Sequence, residues 1–161
     1  MQKITVHLWF DNQAEEAAAY YTGIFKNAKV LSKSHYGQEA TNLGGVAPGQ
    51  VMQVEFELDG QRFLALNGGP EFHFTEAISL LVACEDQAEV DDYWEQLGAG
   101  GDPSAQICGW LKDKYGLSWQ IVPTELEALM NSSNPAQAER VKAAMLQMKK
   151  LDIAQLRAAA G

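Results

Sequence analysis

His7, Glu55 and Gln120 are the side chains of this chain whose types suit chemistry and whose positions fall on predicted strands. An imidazole or a carboxylate moves a proton, and an amide polarises an oxygen. Together they would handle a proton beside a polarised oxygen, as a lyase or isomerase does. Glu55 sits mid-strand, opposite Leu64 across a predicted hairpin, where no partner is evident. It either acts as a general base or faces solvent at the sheet rim. His7 either faces a cavity or is a hydrogen-bonded strand histidine. Gln120 is expected opposite Gly109, where a small gap beside a polar group suits a ligand surface. No complete catalytic constellation is visible, so these three are candidates and no catalytic residue is assigned. Trp9 would stack on a flat ligand or fill a seam between subunits. His73, between Phe72 and Phe74, would close over a cavity or pin its loop.

The hairpin Ile107 to Pro123 positions Gln120. Asp113, Lys114, Tyr115 and Gly116 supply turn chemistry, and Gly116 is free to take positive φ. Leu117, Trp119 and Ile121 alternate with Ser118, Gln120 and Val122. A four-residue turn sets Trp110 opposite Trp119, which predicts a buried double-tryptophan wall. Earlier in the chain, Ile4, Val6, Leu8 and Phe10 alternate with Thr5, His7 and Trp9 in a first strand. Asn12 and Glu15 have capping-box spacing, ahead of an apolar helical stripe from Ala14 to Phe25. A second strand is expected near 29–36, and 37–50 reads as a mobile loop. Met52 to Leu58 and Gln61 to Leu66 flank Asp59-Gly60, a strong hairpin signal. That pairing sets Phe56 opposite Phe63 and Glu57 opposite Arg62, the latter read as an ion pair.

Residues 67–75 read as a Gly/Pro linker between modules. A strand through Ile78, Leu80, Val82 and Cys84 follows, with Ser79, Leu81 and Ala83 on its other face. Asp86 then caps a helix bearing Val90, Tyr93, Trp94 and Leu97. The tail reads as short helices, with Asn134-Pro135 as cap and first helical residue of one and another running from Ile153. Setting residue n beside n + 74 places Asp11-Asn12-Gln13-Ala14-Glu15 on Glu85-Asp86-Gln87-Ala88-Glu89. The same offset places Thr5 on Ser79, His7 on Leu81 and Trp9 on Ala83. The order of elements matches as well, so the chain reads as a duplicated βαβββ module. The expected architecture is α+β: one curved mixed sheet, helices on its convex side, and C-terminal helices. Module 1 spans about 1–67, module 2 about 75–123 and the tail 124–161, within one domain.

The totals narrow the functional classes. With 161 residues, 47% hydrophobic, the chain is long enough to bury a core. A net charge of −9 argues against nucleic-acid binding, which needs clustered Lys and Arg. Cys84 and Cys108 lie in apolar runs without metal-type spacing and read as two reduced, buried thiols. No apolar run approaches the ~20 residues of a membrane span, and the start lacks the pattern of a signal peptide. A cytoplasmic location is expected.

LWFDNQAEEAAAYYTGIF, VEFELDGQRFLALNGGPEF, FTEAISLLV and GWLKDKYGLSWQIVP resemble the PhnB-like branch of the vicinal oxygen chelate superfamily. That superfamily includes glyoxalase I, fosfomycin and bleomycin resistance proteins, and extradiol dioxygenases. The resemblance runs from about residue 2 to residue 150, including the tail AAMLQMKKLDI. It implies paired βαβββ modules, a glyoxalase/bleomycin resistance/dioxygenase fold and a homodimer. Members of the branch often carry the label demethylubiquinone methyltransferase-like. No strand followed by a GxGxG loop for S-adenosylmethionine is present, so methyl transfer is not the expected activity. In metal-dependent relatives the ligands lie on the first and last strands of each module. Those positions here are Thr5, Leu64, Ser79 and Gln120, with His7 one step along the same face. Leu64 cannot ligate, and Ser79 and Gln120 are weak donors. The resemblance therefore implies a scaffold without the usual metal and with no cofactor. Its concave face would bind a small molecule through Thr5, His7, Trp9, Glu55, Leu64, Ser79 and Gln120. The alternative is a glyoxalase-like lyase or isomerase using His7, Glu55 and Gln120, with or without a divalent metal.

Overall fold

A computed structural model describes residues 3–42 and 46–161; for residues 41 and 42 it describes the backbone alone. The elements run β1 (Val6–Phe10), α1 (Ala14–Ile24), β2 (Ala28–His35), β3 (Val51–Leu58), β4 (Gln61–Asn67), β5 (Leu80–Cys84), α2 (Gln87–Gly98), β6 (Trp110–Lys112), β7 (Ser118–Pro123), α3 (Leu126–Met130), α4 (Pro135–Met145) and α5 (Ile153–Ala160). The chain divides into two compact units, Met1–Phe74 and Thr75–Gly161. Each is a mixed α+β unit, as the alternating patterns predict.

In the first unit the sheet order is β1-β4-β3-β2, with β1 parallel to β4 and the other pairs antiparallel. Asp59 (φ 45°) and Gly60 (φ 80°) turn β3 into β4. Positive φ at both positions matches the right-handed twist of the strands. The register sets Phe56 opposite Phe63, Glu57 opposite Arg62 and Glu55 opposite Leu64, as alternation predicted. Phe56, Phe63, Val54 and Ala65 are buried beneath the α1 stripe of Ala14, Ala17, Ala18, Tyr21 and Ile24. Full burial of such large side chains stabilises by ~1.5–3 kcal/mol each.

The entry to α1 departs from expectation. The helix starts at Ala14, and Gln13, at its cap position, makes no side-chain cap. Instead the Ala14 N–H donates to Oδ1 of Asn67 at 2.8 Å, across 53 residues of chain. Asn67 is 2% exposed, and its Nδ2 donates to the Val51 carbonyl at 3.0 Å. A buried amide from β4 thus replaces the expected Asn12–Glu15 box. An amide offers a donor and an acceptor together, so it ties helix and strand at one point.

Residues 37–50 begin with a 3-10 helix, Gln38–Asn42. Backbone bonds between Tyr36 and both Gln50 and Gly49 close their ends. The centre of this expected loop, residues 43–45, lies outside the described residues.

In the second unit the order is β5-β7-β6, with β5 parallel and β6 antiparallel to β7. Two strands follow α2 here, where three follow α1. Gly98 to Ile107, rich in Gly and containing Pro103, holds only a short 3-10 turn and one isolated bridge, Ile107 to Trp110. Glycine and proline both disfavour a continuous ladder. Asp86 caps α2 as predicted, accepting from the Glu89 N–H at 2.9 Å.

The β6–β7 pairing is one step from the predicted register. Trp110 faces Gln120 and Leu111 faces Trp119, so there is no double-tryptophan wall. The reason is Asp113, 2% exposed, which closes the turn. Its Oδ1 accepts from the Tyr115 and Leu117 N–H groups at 2.9 and 3.0 Å, and its Oδ2 from Trp119 Nε1 at 2.8 Å. Its own N–H donates to the Leu117 carbonyl at 3.0 Å, leaving three residues in the turn instead of four. The odd count moves Trp110 to the opposite face.

The tail packs on itself. Leu126, Val141, Leu151, Leu156 and Ala160 form a core that Met130, Met145 and Met148 border. Asn134 caps α4 from just before Pro135, as its sequence predicts.

Candidate functional site

Cross-strand neighbours place the candidate residues in rows. In the first unit His7 pairs with Leu64 and Leu64 with Glu55, so all three cross one sheet side by side. Beyond them Ser32 pairs with Glu55. The Glu55 carboxylate is not unpartnered. Arg62 Nη1 donates to its Oε1 at 3.1 Å and Ser32 Oγ to its Oε2 at 3.2 Å. The expected Glu57–Arg62 ion pair is replaced by this diagonal one, and Glu57 lies 3.6 Å from Lys29 Nζ. Each oxygen of Glu55 thus accepts one hydrogen bond, and its neighbours hold the carboxylate on the sheet. His7 is exposed on β1, and Thr5 precedes the first strand residue.

Trp9 serves the loop after β4. Its Nε1 donates to the Gly69 carbonyl at 2.9 Å, and its ring meets Phe72 edge-on at 4.9 Å between centroids. A side chain at Gly68 would collide with the indole ring, so glycine is required there. The Gly68 and Gly69 N–H groups bond the carbonyls of Phe10 and Asp11, and the Phe74 ring meets Phe10 edge-on. The motif ALNGGP is thus a structural splice held by Asn67 and Trp9. His73, three residues beyond the motif, is exposed.

The second unit holds the cavity. Leu81, Gln120 and Trp110 form the row equivalent to His7, Leu64 and Glu55. This face, with Ala83 and Val122 beside the row, forms one side of a space of about 610 Å³. Pro123, Thr124 and the helical residues Leu126, Glu127, Met130 and Met145 form the other. Gln120 Nε2 donates to Ser79 Oγ at 2.8 Å, which joins two of the predicted ligand residues and orients the amide. Such a space, apolar with few polar groups, is of the size that holds a small molecule. Sequence reasoning missed Trp110, Met130 and Met145 as lining. The register error hid the first. Met130 and Met145 lie on separate tail helices, α3 and α4, and only the tertiary fold brings them to one surface.

Cys108 also lines the space and is half-buried, in contrast to the expected buried thiol. Its φ of 51° places it in a turn instead of a strand. Cys84 is buried, and burial pushes its thiol up to about 12.

Among the described residues, no group of three or more His, Cys, Asp or Glu side chains is placed to hold a metal ion. The positions equivalent to the ligands of metal-dependent relatives do not fit one either. Leu64 has no donor atom, and Ser79 Oγ is engaged by Gln120. Among the described residues, no helix is long and apolar enough to cross a membrane.

Residues 2–122 match the family described as 3-demethylubiquinone-9 3-methyltransferase. No curated protein matches the chain. Among solved structures, a Bacillus cereus PhnB protein, described as a putative 3-demethylubiquinone-9 3-methyltransferase, is 36% identical, with a TM-score of 0.63. The match covers 76% of this chain and 99% of that one. A Pseudomonas aeruginosa protein shares 15% identity over 76% of this chain and 98% of its own, with a TM-score of 0.58. A genomically encoded fosfomycin resistance protein of Listeria monocytogenes shares 17% identity over 79% of this chain and 96% of its own, with a TM-score of 0.50. The last two likenesses show the fold. With the repeated strand–helix–strand order, the ALNGGP splice and a family match over most of its length, this chain belongs to the 3-demethylubiquinone-9 3-methyltransferase family, the PhnB-like branch of the vicinal oxygen chelate superfamily.

Proposed function

We propose that this chain binds an apolar small molecule in the cavity of its second unit and does so without a divalent metal. The cavity itself carries this reading: about 610 Å³, bounded by a sheet face and by tail helices, with Gln120 as an oriented polar handle. The donor set supports the metal-free part, since the positions equivalent to known ligands are Thr5, Leu64, Ser79 and Gln120. Lyase or isomerase chemistry through His7, Glu55 and Gln120 ranks second. Glu55 is already bound by Arg62 and Ser32, and neither it nor His7 is among the residues lining the cavity. The family's description names a methyl transfer, and nothing in the cavity argues for that chemistry over binding.

Neutral phenylnaphthylamine is a suitable probe. It should bind saturably, one per chain, and quench Trp110 fluorescence. Ala83→Trp, which fills the cavity from the sheet side, should abolish binding while the fold persists. Binding that survives Ala83→Trp, or that needs added zinc, nickel or manganese, would sink the reading. The homodimer and a cytoplasmic location remain part of the proposal. The dimer rests on the family resemblance; the tail methionines border a core within their own chain. Light scattering should give twice the chain mass of 17.7 kDa.

A further inference from the structure

The wall of the cavity formed by Pro123 onward lies outside the family match, which ends at residue 122. Its chemistry therefore has to be read from this chain. Glu127 is the one ionised side chain among the described lining residues, and no Lys, Arg or His joins it. An anion entering this space would lose hydration without meeting an opposite charge. A cation would meet the Glu127 carboxylate, and the half-buried Trp110 offers an aromatic face across which positive charge is stabilised. Met130 and Met145 add polarisable, adaptable apolar surface. The net charge of −9 favours approach of a cation from solution.

The wall is anchored to the rest of its unit. The Cys108 and Gly109 N–H groups donate to the carbonyls of Met148 and Lys149, each at 2.8 Å. Gln87 of α2 clasps the next stretch: its Nε2 donates to the Leu151 carbonyl at 3.1 Å, and its Oε1 accepts from the Ile153 N–H at 2.8 Å. Gly109 has φ 85°, and a side chain there would press on the Ile121 carbonyl and Leu151 at 3.0 Å. These bonds hold the connection between α4 and α5 against the sheet, and the exposed Glu127 carries its carboxylate at the edge of the space. Resting on the binding reading above, we propose that the cavity selects an apolar molecule bearing a single positive charge, with Glu127 as its anchor and Trp110 as its aromatic seat.

Tetraphenylphosphonium and tetraphenylborate test this directly, being matched in size and shape and opposite in charge. Each is titrated against the full chain loaded with neutral phenylnaphthylamine. The phosphonium should displace the probe at lower concentration than the borate. Glu127→Gln should weaken the phosphonium about three- to fivefold, the scale of one solvent-accessible ion pair. It should leave phenylnaphthylamine binding unchanged. Glu95→Gln, an equal charge change on α2, should shift neither ion. Equal displacement by the two ions, or a phosphonium affinity indifferent to Glu127→Gln, overturns the charge selection while leaving the binding reading intact. Failure of phenylnaphthylamine itself to bind overturns the binding reading, and the selection with it.

Discussion

The two units present equivalent rows with opposite chemistry. In the first, His7, Leu64 and Glu55 cross the sheet, and Arg62 and Ser32 hold the one carboxylate of the row. In the second, Leu81, Gln120 and Trp110 occupy the corresponding places, and the tail helices face them. The cavity of about 610 Å³ lies over the second row, which carries no titratable side chain, and its described lining includes none of the first row. The two units repeat a strand–helix–strand frame and differ in the residues at these three positions and in the tail that follows the second. Ionisable residues on a strand are therefore weak signs of catalysis until their partners are known.

Each unit also turns on one buried polar residue, and these give the largest test of the comparison. Asn67 joins α1 to β3 in the first, and Asp113 closes the β6–β7 turn in the second. Asp113→Ala should destabilise by about 3–4 kcal/mol, since hydrogen bonds to a carboxylate are the stronger kind and their donors would be left buried. Asn67→Ala should cost about 2–3 kcal/mol, through a lost cap and an unpaired carbonyl. Chemical denaturation measures both, and amide exchange should rise in the unit that carries the substitution. Equal exchange across both units would show that the units do not respond separately.

The thiols sharpen the same contrast within the second unit. In native protein at pH 8, Ellman's reagent should titrate Cys108 and leave Cys84 until denaturant is added. With its thiol raised to about 12, Cys84 holds a thiolate fraction on the order of one in ten thousand at that pH. The shift also has a stability consequence. A thiol of ordinary value 9.0 when unfolded and about 12 when folded keeps its proton longer in the native state. Stability from this group is therefore present below pH 9 and falls as pH rises between those values. Two rapidly reacting thiols would contradict the burial of Cys84. The smallest effect belongs to the first unit's row: Arg62→Ala should cost at most about 1 kcal/mol, as for other solvent-accessible ion pairs. A loss well above that in urea denaturation would mean that the Glu55 pair organises the sheet.

Much of the frame was legible in the residues. Alternation located β1, β3, β4 and β7, because a half-buried strand must alternate whatever surrounds it. Asp59-Gly60 set one hairpin register, since only residues tolerant of positive φ fit that turn. Asp86 and Asn134 announced their helices by local capping, which needs nothing beyond the next few residues. The family resemblance rested on motifs such as ALNGGP that are local as well.

What tertiary structure decided was every outcome that needed a distant partner. Asn67 reached Ala14 from another strand, and this replaced the expected cap. The Asp113 side chain bonded Trp119 and removed one residue from the turn, which carried Trp110 from the expected core to the cavity. Arg62 chose Glu55 over the residue directly opposite it. The tail folded across the second sheet face and completed the cavity. Composition and periodicity describe which surfaces want burial and what conformations the backbone tolerates. They carry no information on which far segment supplies the missing partner, because that choice is made by contacts between residues remote in sequence.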